Sequence, residues 1–127
     1  MLVAAFGRWH ESHSAARDAL TDRTVLLAPV AVEAFSVLTR LPPPHRAPSR
    51  LVLDFLDAHF GDPPVALSGP GVRALLAEAE ASGIVGGGVY DALIAVTSRE
   101  AGAALVSLDQ RAARVYRALG VDHTLLA

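Results

Sequence analysis

Residues 86–111 read GGGVYDALIAVTSREAGAALVSLDQR. The triple glycine supplies a loop that the backbone can approach closely, and the apolar spacing that follows predicts a helix over 90–101. A leucine- and valine-bearing run over 103–108 reads as a strand, a further helix is expected over 110–119, and 121–125 closes the chain as a strand. Strands alternating with helices imply an α/β fold with a parallel sheet covered on both faces. Two acids occupy marked places in this stretch. Asp91 falls in the first helical turn after the glycines, where unpaired amides and the helix dipole favour an ionised carboxylate. Asp109 follows a strand and precedes a helix, which suits an N-cap; it also suits a ligand site, because open parallel sheets bind ligands beyond the carboxyl ends of their strands.

Working outward, Pro70 opens a helix expected to run to Ser82 and to stop at Gly83, with a short strand expected over 65–67 before it. Residues 49–60 carry Leu51, Val52, Phe55, Leu56 and Phe60 at helical spacing, and Gly61-Asp62-Pro63-Pro64 ends that helix. The consecutive prolines 42–44 forbid helix and strand alike, so 41–48 is a loop. A helix begun near Pro29 runs to Leu41 after a short strand at Val25-Leu26-Leu27, a first helix covers 9–20, and the apolar opening Met1 to Phe6 reads as a buried strand.

The 127 residues, 52% of them hydrophobic and 19% charged, suit one domain spanning 1–127. Cysteine is absent, which removes disulfides, thiolate metal sites and thiol nucleophiles and fits a cytoplasmic protein. Lysine is absent too: all eleven basic residues are arginine, so no ammonium exists for a phosphate-binding Walker loop or a Schiff base. No apolar stretch reaches the ~18 residues a membrane span requires. No basic region precedes the apolar start, so a secretory signal is not expected.

Glu33 is the one ionisable residue in TVLLAPVAVEAFSVL, residues 24–38. A carboxylate surrounded by apolar neighbours must reach solvent, pair with an arginine such as Arg40, or meet a metal ion. A doubly wound sheet can bring Glu33, Asp91 and Asp109 to one edge. Three carboxylates gathered there repel one another unless a cation neutralises them, and an all-oxygen set matches Mg²⁺, with Mn²⁺ as a substitute, better than zinc or copper. The chemistry that follows is phosphodiester hydrolysis by a metal-activated water.

These residues occur in an order that resembles the PIN-domain nucleases, specifically the VapC-type toxins of bacterial toxin–antitoxin modules, over nearly the whole chain. The resemblance rests on LVAAF at the start, WHESHSAAR, APVAVEAFSVLTRLP around Glu33, GGGVYDALIA around Asp91 and GAALVSLDQRA around Asp109; the most specific part is the Asp91 motif followed eighteen residues later by the second acid. It implies a three-layer α/β/α sandwich with a central, mostly parallel sheet. It implies a Mg²⁺-dependent endoribonuclease whose Glu33, Asp91 and Asp109 are catalytic metal ligands, with Ser107 as the nearby hydroxyl. A VapB-type antitoxin, an RNA substrate and a homodimer are the implied partners. The family opens on a pattern like Asp-x-Ser-x-Leu-Val-Ala, and aligning it with Leu2-Val3-Ala4 sets that aspartate before Met1. A catalytically impaired module that sequesters antitoxin or RNA is therefore the alternative; a phosphohydrolase acting on small phosphate esters is a third reading.

Arg40, His45, Arg46 and Arg50 form a stretch with no acid between Glu33 and Asp54, and Arg111, Arg114 and Arg117 repeat every three residues. Both suit phosphate guidance, with Arg40, Ser107, Arg111 and Arg114 as the expected RNA contacts, and both also suit solvated faces. His10 and His13, three apart without a neighbouring acid set, read as ordinary helix residues.

Overall fold

The structure, a computed structural model, describes residues 1–126. Its chain divides into two compact units, Met1–Pro64 and Val65 onward.

The first unit is helical: α1 (Leu2–Phe6), α2 (His13–Ala19), α3 (Ala28–Arg40) and α4 (Ser49–His59). Packing joins α1 to α2 and α3, and α3 to α4. Leu2, Leu26, Ala34 and Phe60 form one buried cluster, and Leu38, Ala47 and Val52 another, with Leu56 against both. The ring of Phe6 meets Phe55 edge-on at 5.4 Å, fixing α1 on α4.

The opening segment is a correction to the expected strand. Residues 2–6 are a helix, with the Ala5 amide donating to the Met1 carbonyl at 3.0 Å and the Gly7 amide to Val3 at 2.9 Å. A short run of uniformly apolar residues satisfies burial in either conformation, so periodicity cannot tell them apart, and the adjacent alanines favour helix. Val25-Leu26-Leu27 is likewise not a strand; only Leu27 bridges, although Leu26 and Leu27 are buried. The first predicted helix is shortened to α2, because the Ser12 amide donates to His10 Nδ1 at 3.0 Å in a turn before it. From α2, His13 reaches back through Nδ1 to the Ala4 carbonyl at 2.8 Å.

The second unit holds α5 (Gly69–Ala81), α6 (Gly88–Glu100), β1 (Leu105–Ser107), α7 (Ala113–Ala118) and β2 (His123–Leu125). Ser68 caps α5 by accepting from the Gly71 amide at 3.1 Å, and Pro70 sits in its first turn. The strand expected over 65–67 shrinks to one bridging residue, Val65.

β1 and β2 pair in parallel, Leu105 opposite His123 and Ser107 opposite Leu125. One device delivers the chain into both strands. After α6, Gly102 at φ +67° lets its amide reach Arg99 while the Ala103 amide donates to Ser98; after α7, Gly120 at φ +64° and Val121 repeat the pattern on Arg117 and Tyr116. The expected α/β class therefore holds, with a smaller sheet than the apolar runs suggested: two strands among the described residues.

Candidate functional site

Glu33 lies on α3, where a helical surface carries every third or fourth residue along one stripe. Ala34 and Leu38 face the core, while Val32, Glu33, Ser36 and Arg40 are exposed. Of the alternatives open for Glu33, the structure takes solvent: no ion pair found among the described residues involves it. Arg40 points its Nη1 at Ser36 Oγ, 3.5 Å away and one turn back. Desolvation therefore does not compel a cation beside Glu33, because the apolar residues around it in sequence do not surround it in space.

Asp91 occupies the first turn of α6 and is half-buried. Asp109, exposed, follows β1 and turns the chain toward α7. Its Oδ1 accepts from the Arg111 amide at 2.9 Å and the Ala112 amide at 3.2 Å, with the Arg111 Nε at 3.9 Å. The helix expected over 110–119 starts only at Ala113, with Ala112 at its N-cap, so Asp109 closes the turn that leads into α7 instead of capping the helix itself. It does so with one oxygen, and Oδ2 remains open to a cation. Behind it, the buried Ser107 hydroxyl accepts from the Asp109 amide at 3.0 Å, so Ser107 fixes where the carboxylate stands. Arg111, Arg114 and Arg117 are all exposed on or beside α7.

Glu33 belongs to the first unit, Asp91 and Asp109 to the second. Within either unit, no three His, Asp or Glu side chains among the described residues come close enough together to hold a metal ion. The second unit also has an open cavity of about 390 Å³, lined by Arg99, Gly102, Ala103, Ala104, Gly120, Val121 and Asp122. It lies at the amino ends of β1 and β2, the edge opposite Asp109.

Sequence reading missed the pair that crosses this unit, Arg99 with Glu78. Their 21-residue separation leaves no local pattern to find. The Arg99 hydrogen bond holds the Glu78 carboxyl below its ordinary range, against the opposing effect of burial and with help from the guanidinium charge.

The PIN domain signature matches residues 1–118, almost the whole chain. The chain belongs to the PIN-domain family. Among its relatives, Ribonuclease VapC40 of Mycobacterium tuberculosis, in strains CDC 1551 / Oshkosh and ATCC 25618 / H37Rv, is 41% identical over 126 residues, covering 99% of this chain and 94% of the relative. Ribonuclease VapC27 of strain H37Rv is 36% identical over 124 residues, covering 94% of this chain and 87% of the relative. No solved structure matches the chain. This PIN domain is therefore VapC-type, and its helices and small parallel sheet agree with the α/β fold of the family. No helix among its described residues is long and apolar enough to cross a membrane.

Proposed function

We propose that this PIN domain is an endoribonuclease toxin that cleaves RNA with the help of Mg²⁺ or Mn²⁺. The observation that carries the reading is the 41% identity to a VapC ribonuclease over 99% of the chain, a span that includes Glu33, Asp91 and Asp109. The family signature runs through both compact units, which favours treating 1–127 as one PIN-like domain.

The donor chemistry fits a hard divalent ion: Glu33, Asp91 and Asp109 offer only carboxylate oxygens, and the open Oδ2 of Asp109 leaves one for coordination. When bound, such an ion polarises the scissile phosphate and lowers the pKa of a water. The chain's own residues do the rest. Ser107 and the Arg111 and Ala112 amides orient Asp109, Glu33 presents its charge at an exposed position, and Arg40, Arg111 and Arg114 draw in and position the RNA phosphates. A VapB-type antitoxin as inhibitor and a homodimer as the working form complete the proposal, in a cytoplasmic setting.

The test is cleavage of a mixed RNA pool by the purified chain in Mg²⁺, in Mn²⁺ and in EDTA. Metal-dependent cleavage that disappears in Asp91→Asn supports the nuclease. RNA binding without cleavage in any of the three buffers replaces it with the sequestering module.

A further inference from the structure

Trp9 is the chain's only tryptophan and is 43% exposed, a large apolar ring left partly in water. It is not loosely held. Its indole lies so close to Gly7 that a Cβ built there would meet Nε1, Cε2 and Cζ2 at 2.7–2.9 Å, so only glycine permits this seat. The His45 ring stands against it with centroids 4.4 Å apart and planes 32° from parallel, and His10 borders it at 5.8 Å. His45 is itself exposed, on a loop pinned by the Ala47 amide to the Leu38 carbonyl at 2.9 Å and by Arg46 Nε to the Leu41 carbonyl at 2.9 Å. The result is an exposed pair of tilted rings in contact on a fixed base.

The charges around it have one sign on the loop side. Arg40, Arg46 and Arg50 are the charged residues of the interval between Glu33 and Asp54, and Arg8 precedes Trp9, with Glu11 the acid nearby in sequence. Arg50 is tied to Asp54 at 3.0 Å, whereas Arg8 and Arg46 directly neighbour Trp9 and His45 along the chain and are exposed. Aromatic faces that accept any base, with guanidinium groups alongside for phosphate, are the chemistry by which proteins hold single-stranded nucleic acid.

We propose that the Trp9–His45 pair seats an unpaired base of single-stranded RNA. The inference rests on the ribonuclease reading but is tested apart from it. The full chain, in EDTA so that nothing is cut, is titrated with a uridine dodecamer and with an abasic ribose-phosphate dodecamer while tryptophan emission is followed. The uridine oligomer quenches Trp9 and the abasic one does not. Read instead by the anisotropy of 5′-fluorescein-labelled oligomers, Trp9→Leu and His45→Ala each bind the uridine oligomer about tenfold more weakly and lose the preference for bases. Gly7→Ala, which displaces the indole without removing it, behaves the same way. Equal affinity for the two oligomers, or binding with unchanged emission, overturns the seat while Mg²⁺-dependent cleavage by the same preparation leaves the ribonuclease reading standing. Failure to bind either oligomer overturns the seat too, and emission that responds to the antitoxin but not to RNA replaces it with a protein-binding pair.

Discussion

Arg99 grips Glu78 with both prongs of its guanidinium, Nη1 to Oε1 at 2.9 Å and Nη2 to Oε2 at 2.7 Å, and spends a further Nη1 contact, 3.3 Å long, on the Leu119 carbonyl. One side chain on α6 thus ties α5 to the end of α7. The folded state holds the Glu78 proton less tightly than the unfolded chain does, so the stabilisation is present above about pH 4.5 and is lost as pH falls through the lower folded value. Because both side chains remain about a third exposed, Glu78→Gln is expected to cost about 1 kcal/mol at neutral pH. Thermal melts of the two proteins should converge on acidification, and a constant gap from pH 7 to pH 3 would contradict the assignment.

Substitution separates the structural role of Asp109 from its proposed role in cleavage. Asn keeps an oxygen for the Arg111 and Ala112 amides, whereas Ala removes it. Asp109→Ala is expected to lower stability by about 1 kcal/mol and Asp109→Asn by much less. Both should abolish cleavage. A cleaving Asp109→Asn would take the carboxylate charge out of the chemistry.

Glu33 is exposed, so Glu33→Gln should leave the melting temperature within the range of surface substitutions, about 0.5 kcal/mol. Its proposed part in holding the ion gives a second readout. Calorimetric titration with Mn²⁺ should show weakened binding in Glu33→Gln, and unchanged Mn²⁺ affinity would remove Glu33 from the ligand set.

Arg111 and Arg114 are exposed, Arg111 with only a long 3.9 Å approach to Asp109. RNA affinity should fall steeply with added salt, and each Arg→Ala change should reduce the slope of log K against log salt by about 0.7, the value for single strands. Identical slopes in the wild type and the double variant would show that these arginines only solvate α7.

The helix positions of α3, α5 and α6 were legible because they rest on local signals. Pro29, Ser68 with Pro70, Gly83 and Gly102 punctuate the chain where the structure begins or ends α3, α5 and α6. Strands were less so. A run such as Leu2 to Phe6 or Val25 to Leu27 announces burial, whereas a strand also needs a neighbouring backbone that only the tertiary arrangement supplies. The same gap explains Glu33: apolar neighbours along the chain suggested a desolvated carboxylate, but α3 turns Val32, Glu33, Ser36 and Arg40 outward together. The amide-binding part of Asp109, by contrast, was readable because it depends on residues two and three places away.

The double duty proposed for Asp109 bears on how such proteins decay. Were a lineage to abandon nuclease activity, selection for folding would still retain this aspartate, since the turn into α7 needs its Arg111 and Ala112 amides answered. Glu33, which supports nothing structural, would drift first. In degenerate copies the glutamate, rather than the more conspicuous aspartate, is the informative witness to lost catalysis.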